Sequence, residues 1–255
     1  MLFPSYGVPT PAAPLEALSR DLFELDFSAV EWSADTGGMV AASGHVGTFT
    51  RGATLASVSD SSGATYTALE AQPAYEVRDW DNDGTREAFG LRMGTADRLA
   101  FPAVFRLRQH AGLLEMIETG ARTTAGATLF AYRNDGATGA GLWLDTSGSF
   151  YRLNYSDGTT TRTATLTAGA PASGDRVRLT WELSAAGALT LYQSINGATA
   201  TSATAAALTL PTTAPTSASV RLNTQGSTAN PAQGWYRRLR LVPGAYDLTA
   251  LTARR

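Results

Sequence analysis

The sequence contains no cysteine and no lysine, and its only two histidines, His45 and His110, lie far apart. Without cysteine, the chain can form no disulfide, no thiolate metal site and no cysteine nucleophile. Two separated histidines are too few for a histidine-based metal site. The G-x-S-x-G nucleophile elbow is also absent, although a Ser–His–Asp arrangement can form from residues distant in sequence. These absences predict that the protein is not an enzyme.

Charge and long apolar runs are scarce as well. Only 16% of the residues are charged, and the net charge of −2 exerts no long-range attraction on DNA, RNA or anionic lipid. No stretch reaches the roughly 18 apolar residues that a membrane span needs. Residues 1–14 have neither a basic start nor a long apolar run, so we expect no signal peptide. We therefore expect neither nucleic-acid binding nor membrane insertion.

The sequence does contain a repeated two-residue alternation of apolar and polar side chains. In residues 176–183, Val177, Leu179, Trp181 and Leu183 share one face, and polar residues share the other. The same alternation is present in three further segments, residues 151–155, 189–195 and 238–241. Short strands with one apolar and one polar face are typical of two antiparallel sheets packed face to face. The sequence therefore predicts an all-β, two-sheet antiparallel sandwich.

Turn signals separate these segments. Asp157-Gly158 and Asn196-Gly197 are dipeptides that accept positive φ at both central positions, which predicts two-residue type I′ hairpins. One apolar run, residues 113–117, is too short for periodicity to distinguish a strand from a helix.

The chain divides into three predicted parts. Residues 1–20 carry four prolines and form an extended arm, which either docks on a neighbouring subunit or is a flexible tail. Residues 21–98 form a small β-rich attachment region, and residues 99–255 form the sandwich. In the competing arrangement, residues 21–70 add strands to that same sandwich.

The region from Leu129 to Val242 resembles the laminin-G-like, or concanavalin-A-like, jelly-roll domains. The pieces that carry this resemblance are residues 141–144, 150–159, 175–181, 187–197 and 235–243. Residues 48–54, followed by Gly63 and Pro73, are similar to a short motif that precedes such domains in phage tail and head-fibre proteins. The resemblance implies a jelly-roll fold and a role in carbohydrate binding, protein adhesion or structural packing, and fold alone does not choose among these.

One acidic segment has the spacing of a metal loop. Asp79, Asp81 and Asp83 alternate and are followed by Gly84, as in the first half of a Ca²⁺ loop. Gly90 stands where that loop has its bidentate glutamate, so the alternative is an acidic turn between strands. The resemblance also implies calcium at the sandwich rim, where Asp135, Asp145 and Asp157, each expected at a turn, could contribute. No cofactor is required, and Ca²⁺ is the ion we would expect.

The polar faces of the later strands predict a surface for a ligand or partner. Arginine and tyrosine are enriched where proteins bind one another, and aromatic rings stack on sugars. The alternative is an ordinary solvated sheet face. The three tryptophans Trp143, Trp181 and Trp235 are expected in the core and not at this surface. The predicted surface residues are Arg152, Arg178, Tyr192, Arg221, Tyr236, Arg238 and Arg240.

Together these features predict a non-enzymatic bacteriophage virion surface protein, assembled in the host cytoplasm and associated with the tail or decorating the head. Its expected partners are other virion subunits and further copies of itself, with host surface glycans as additional ligands. One alternative is a carbohydrate-binding module that recognises the host envelope. Another is a decoration protein that stabilises the capsid and binds no ligand.

Overall fold

The fold is given by a computed structural model of the chain. It describes residues 78–80, 90–94, 106–119, 126–134, 140–223 and 232–245, together with Leu248 and Thr252. The strands outside these ranges are described by their backbone alone.

The described residues form nineteen strands, numbered here in chain order. The strands of the first hundred residues are β1 (Phe23–Asp26), β2 (Val30–Ser33), β3 (Gly38–Ala41), β4 (Thr48–Phe49), β5 (Ser57–Ser59), β6 (Thr65–Ala68), β7 (Ala74–Arg78), β8 (Ala88–Met93) and β9 (Leu99–Pro102). The later strands are β10 (His110–Glu118), β11 (Thr128–Asn134), β12 (Gly141–Ser147), β13 (Phe150–Ser156), β14 (Thr161–Thr165), β15 (Arg176–Leu183), β16 (Leu189–Ile195), β17 (Thr201–Ala205), β18 (Ala218–Leu222) and β19 (Gly234–Pro243).

Two eight-stranded sheets form the sandwich, and the strand pairs of the described residues are antiparallel. The first sheet has the order β17-β16-β15-β10-β19-β8-β7, and β1 pairs with β19 in addition. The second sheet has the order β14-β13-β12-β11-β18-β9-β6-β5. A small third sheet consists of β2, β3 and β4. The predicted all-β, two-sheet antiparallel sandwich is confirmed.

The core lies between the two large sheets and follows the predicted alternation. Val177, Leu179, Trp181 and Leu183 of β15 are all fully buried, as their shared face requires. The rings of Trp181 in the first sheet and Phe130 in the second stack with centroids 5.5 Å apart. The inward faces of the two sheets therefore meet in one continuous apolar cluster.

The run at residues 113–117, which periodicity left open, belongs to the central strand β10. This strand is buried along its whole length because it lies in the middle of the first sheet and is covered on both faces. A strand buried on both faces reads as a continuous apolar run and loses the alternation that would identify it. Gly112 of this strand leaves room for the core ring of Trp181, since a Cβ there would lie 1.9 Å from it.

The strands that precede residue 99 pair with those that follow it. In the first sheet β8 pairs with β19, and in the second sheet β6 pairs with β9. The boundary predicted between residues 98 and 99 therefore falls between strands of the same sheets. The predicted arm, residues 1–20, lies outside the described residues.

Neither predicted two-residue hairpin is present, and a type I′ turn forms only at Asn196-Gly197, where the flanking strands β16 and β17 pair no closer to the turn than Gln193 with Thr201. Asn196 and Gly197 both have positive φ, at 52° and 76°, as that turn requires. The prediction for Asp157-Gly158 is wrong, because four residues separate Ser156 from its partner Thr161 and only Gly158 has positive φ. The Asp157 carboxylate instead accepts hydrogen bonds from the backbone amides of the two residues that follow Gly158. These hydrogen bonds lower the pKa of Asp157.

Across the described part of the chain, no helix has the length and apolar character needed to cross a membrane.

Candidate functional site

The residues predicted to form one partner surface are divided between the two sheets. Arg152 and Arg221 lie on β13 and β18 of the second sheet. The other five lie on the first sheet: Arg178, Tyr192, Tyr236, Arg238 and Arg240. Because the apolar core separates the sheets, these residues do not come together in a single site.

Tyr236 is fully buried, because a β-bulge in β19 changes which side chains face the core. Glu115 of β10 pairs with Arg238 and its neighbour Met116 pairs with Tyr236, so Arg237 is the extra residue. Alternation counted back from Arg238 and Arg240 would place Tyr236 outside, but the bulge turns it inward. The same bulge turns Trp235 to the outer face.

The outer face of the first sheet is covered by its own chain near this bulge. Trp235, Trp80 and Ile117 form a small buried cluster, called here the Trp80 cluster. The two indole rings lie 6.1 Å apart, and Arg176 donates a hydrogen bond of 2.8 Å to the Trp80 carbonyl. A Cβ at Gly90 would lie 2.3 Å from Trp235, so the ring packs directly on the sheet backbone.

Charged groups beside the Trp80 cluster are paired with one another. Glu115, whose side chain is only 4% exposed, accepts a contact of 2.7 Å from Arg178 and one of 3.4 Å from Arg237. The Arg237 guanidinium also lies 4.8 Å from the centroid of the Trp80 ring. Arg178, predicted to face a partner, is thus engaged within the protein and is 11% exposed.

The predicted calcium loop begins next to this cluster. Asp79 is half-buried and precedes the buried Trp80, whereas Asp81 and Asp83 lie outside the described residues. Within the described ranges, no group of three histidine, aspartate or glutamate side chains could hold a metal ion. Calcium binding by residues 79–84 stays a prediction.

The outer face of the second sheet presents Trp143, which β12 holds there by simple alternation. Leu142 and Leu144 point into the core, so Trp143 between them points outward and is half-buried. Trp143 pairs with Ala131 on one side and Asn154 on the other. The prediction that Trp143 belongs to the core is wrong. That prediction is confirmed for Trp181, while Trp235 is buried outside the main core.

Asp145 organises the polar groups beside Trp143. Its carboxylate accepts hydrogen bonds from Arg152 Nε at 2.5 Å and Nη2 at 3.0 Å, from Asn154 Nδ2 at 3.0 Å and from Trp143 Nε1 at 3.3 Å. The side chain of Asp145 is 3% exposed and that of Arg152 is 31% exposed. The bond to Asp145 raises the pKa of Arg152, so the guanidinium stays charged. The indole is therefore oriented by a fully satisfied carboxylate.

Two more arginines lie on the other side of the indole. The Cζ atom of Arg133 is 5.5 Å from the Trp143 ring centroid. Arg221 pairs with Ala131, the residue that also pairs with Trp143. We call the group formed by Arg133, Trp143, Asp145, Arg152, Asn154 and Arg221 the Trp143 face.

A partly exposed aromatic ring held between hydrogen-bonding groups is suited to binding a sugar, which offers an apolar ring face and a polar edge. Of its six residues, sequence reasoning singled out only Arg152 and Arg221 as surface residues. It placed Asp145 at a turn, whereas Asp145 lies within β12. The signal was present in Gly-Leu-Trp-Leu-Asp, residues 141–145, where apolar positions alternate with Trp143 and Asp145.

Comparison with known proteins identifies the fold. Neither a protein-family model nor the sequence of a curated protein matches the chain. Among solved structures, it is similar to the binding domain of botulinum neurotoxin serotype D, with a TM-score of 0.51, 8% identity, and coverage of 92% of this chain and 51% of that one. It is also similar to full-length tailspike protein 2 of an Escherichia coli O157:H7 bacteriophage, with a TM-score of 0.51, 14% identity, and coverage of 74% and 27%.

A third similar structure is botulinum neurotoxin type C, whose cell entry is described as dependent on interaction with two ganglioside molecules. Here the TM-score is 0.50 at 12% identity, and the match covers 78% of this chain and 50% of that one. The chain thus spans about half or less of the length of these three proteins. At such low identity the similarity concerns the fold, and the chain is a β-sandwich of the kind found in binding domains and in a phage tailspike.

Proposed function

We propose that this chain is a non-enzymatic glycan-binding protein of a bacteriophage particle and that it binds sugars at the Trp143 face. The single observation that carries the proposal is the half-buried indole of Trp143, whose Nε1 donates to the buried Asp145 carboxylate. A ring held in place this way loses little conformational freedom when a sugar stacks on it. The Arg152 guanidinium, which is 31% exposed, supplies a polar group next to it.

The proposal is tested by screening the full chain on an array of bacterial surface polysaccharides and animal glycans. The best ligand is then titrated against Trp143→Ala and, as a matched control, Tyr192→Ala. Tyr192 is also a partly buried aromatic residue on the outer face of a sheet, but it lies on the first sheet. Loss of the stacked indole should weaken binding about fivefold, since aromatic contacts of this kind contribute about 1 kcal/mol.

The control should bind like the unmodified protein. Retention of full affinity by Trp143→Ala, or the absence of any bound glycan on the array, would contradict the proposal. Loss of binding in Tyr192→Ala alone would move the site to the first sheet. Incubation of the ligand with the protein should release no new reducing ends, as expected of a binding protein that does not cleave its ligand.

The proposed location on the virion is supported by the resemblance of residues 48–54 to a phage fibre motif and by the fold shared with a tailspike. Electron microscopy of particles labelled with an antibody to the chain should place it on the tail or the head. The predicted assembly with other subunits is tested by deleting residues 1–20. We expect the mass measured by light scattering to fall and incorporation into particles to fail.

A further inference from the structure

A row of outward-facing polar groups leads from Trp143 to the edge of the second sheet. In the register of β12, β13 and β14, Trp143 lies opposite Asn154, and Asn154 lies opposite Thr163. β14 is the last strand in the order of this sheet, and Thr163 is exposed. The row therefore starts at the half-buried indole and ends at an exposed hydroxyl group.

Hydrogen bonds fix how the groups of this row can be used. Asn154 donates from Nδ2 to the Asp145 carboxylate at 3.0 Å, and because a carboxylate only accepts, the Oδ1 atom of Asn154 is left for β14. Thr163 donates its hydroxyl hydrogen to this Oδ1 atom at 2.8 Å. A hydroxyl whose hydrogen is already engaged can only accept further hydrogen bonds. The exposed oxygen of Thr163 is therefore suited to accept a hydrogen bond from a hydroxyl group of a ligand.

The indole of Trp143 does not extend along this row. Its Nε1 donates to Asp145, two residues further along β12, so the ring is held along its own strand. Neighbouring strands of a sheet lie about 5 Å apart, which places the backbone of Thr163 about 10 Å from that of Trp143. A single sugar stacked on the indole is too short to contact Thr163 as well, whereas two linked sugars span that distance.

The opposite direction along the sheet is less suited to a ligand. Toward β11 and β18, Arg133 and Arg221 have further partners within the protein. Toward β13 and β14, Arg152 uses Nε and Nη2 for its bonds to Asp145 but is still 31% exposed. Part of its guanidinium thus faces solvent beside the row that leads to Thr163.

Resting on the proposed function, we infer that the ligand is a chain of at least two sugars that crosses the second sheet from β12 toward β14. One sugar ring stacks on Trp143. The next sugar donates a hydroxyl hydrogen to Oγ1 of Thr163, beside the exposed part of Arg152. The ligand class is thus an oligosaccharide or polysaccharide whose second sugar carries a free hydroxyl group.

A length series tests this inference. The full chain is titrated by nuclear magnetic resonance with the mono-, di- and trisaccharides of glucose, galactose, mannose, rhamnose and N-acetylglucosamine. Within each series the sugar stays the same and only the chain length changes. For the sugar that binds best, we expect the disaccharide to bind about fivefold more tightly than the monosaccharide, because it adds the hydrogen bond to Thr163. The trisaccharide should gain little more, since β14 is the last strand of the sheet.

Variants of Thr163 show whether its hydroxyl is responsible. Thr163→Val keeps the shape of the side chain but removes the hydroxyl, so the gain of the disaccharide over the monosaccharide should be lost. Thr163→Ser retains a hydroxyl and should keep most of the gain. The control is Thr204→Val, which removes an exposed hydroxyl from the edge strand β17 of the first sheet and should keep the whole gain. Melting temperatures establish that each variant is folded.

The outcomes separate this inference from the proposed function. Equal affinity for mono-, di- and trisaccharides, abolished by Trp143→Ala, would overturn the second sugar position and leave sugar binding at Trp143 intact. A gain that survives in Thr163→Val, or that is lost equally in Thr163→Ser or Thr204→Val, would show that the Thr163 hydroxyl does not hold the second sugar and overturn the inference. The absence of binding by any member of the series would overturn both.

Discussion

The two large sheets carry outer faces of opposite character. On the first sheet, the outward indole of Trp235 is fully buried beneath Trp80. Further along the same sheet, the Thr180 hydroxyl contacts Thr252 from the C-terminal end of the chain. On the second sheet, the outward indole of Trp143 keeps part of its surface in contact with solvent. The first sheet is thus covered by the protein's own chain around Trp235 and Thr180, whereas on the second sheet the indole of Trp143 stays partly exposed.

Trp235 contributes to the free energy of folding, whereas Trp143 can contribute to the free energy of binding a ligand. Burial of a large aromatic ring on folding stabilises the folded state, because apolar area is removed from water. The ring of Trp235 is already fully buried in the folded protein, so a ligand cannot bury it further. Trp143 still has apolar area to bury, which a ligand can cover. The second sheet is therefore the better candidate for binding, although sequence analysis assigned all three tryptophans to the core.

The largest expected difference is in stability. Trp235→Ala should lower the free energy of unfolding by about 3–5 kcal/mol, because it opens a cavity beneath Trp80. Trp143→Ala should cost about 1 kcal/mol or less, since its ring is only half-buried. Unfolding in guanidinium chloride measures both. Equal losses for the two variants would show that the two faces are covered alike.

A second expected effect is a loss of stability at acidic pH, caused by His110 of the first sheet. His110 begins β10 of the first sheet, and burial lowers its pKa from 6.5 to about 4. Its Nδ1–H donates to the Arg108 carbonyl, and Nε2 has no hydrogen-bond partner among the residues that the structure describes. The unfolded chain takes up a proton near pH 6.5, whereas the folded chain resists protonation until about pH 4. Stability should therefore be fully present above pH 7 and fall by about 3 kcal/mol as the pH drops to 4.

Unfolding free energies between pH 4 and 7.5 measure this loss, with His110→Leu as the comparison. The variant loses the bond to Arg108 at every pH, but the part of the acid sensitivity due to His110 should disappear. An unchanged pH dependence in the variant would show that other groups cause the acid sensitivity.

The smallest expected difference separates the ion pairs of the two faces. Glu115→Gln should cost about 2–3 kcal/mol, because Arg178 and Arg237 would lose their ion pairs with Glu115 while remaining largely buried. Asp145→Asn should cost about 1 kcal/mol, since Arg152 is 31% exposed and water can solvate it. Chemical denaturation of both variants measures this difference. A greater loss for Asp145→Asn would show that the Trp143 face is the more closed of the two.

How well the site was predicted depended on local regularity. In β15 a strict two-residue period held from Val177 to Leu183, and each predicted inward residue is buried. In β12 the same period was present, but Trp143 was assigned by residue type instead of by position. In β19 the two-residue period gave a wrong prediction for Tyr236 and Trp235. The extra residue Arg237 forms a bulge that reverses the faces on which these two side chains lie.

The sequence by itself determined the two-faced strands, because the alternation of side chains along a strand is a local geometric property. Only the tertiary structure decided which outward face is covered. That outcome depends on Trp80 and Thr252, which are distant in sequence from Trp235 and Thr180, the strand residues they contact. It also decided that Asp145 holds Trp143 and Arg152 together, since this contact requires the register of β12 on β13. Strand register and the covering of an outer sheet face both depend on packing between segments distant in sequence. A local sequence pattern therefore cannot predict them.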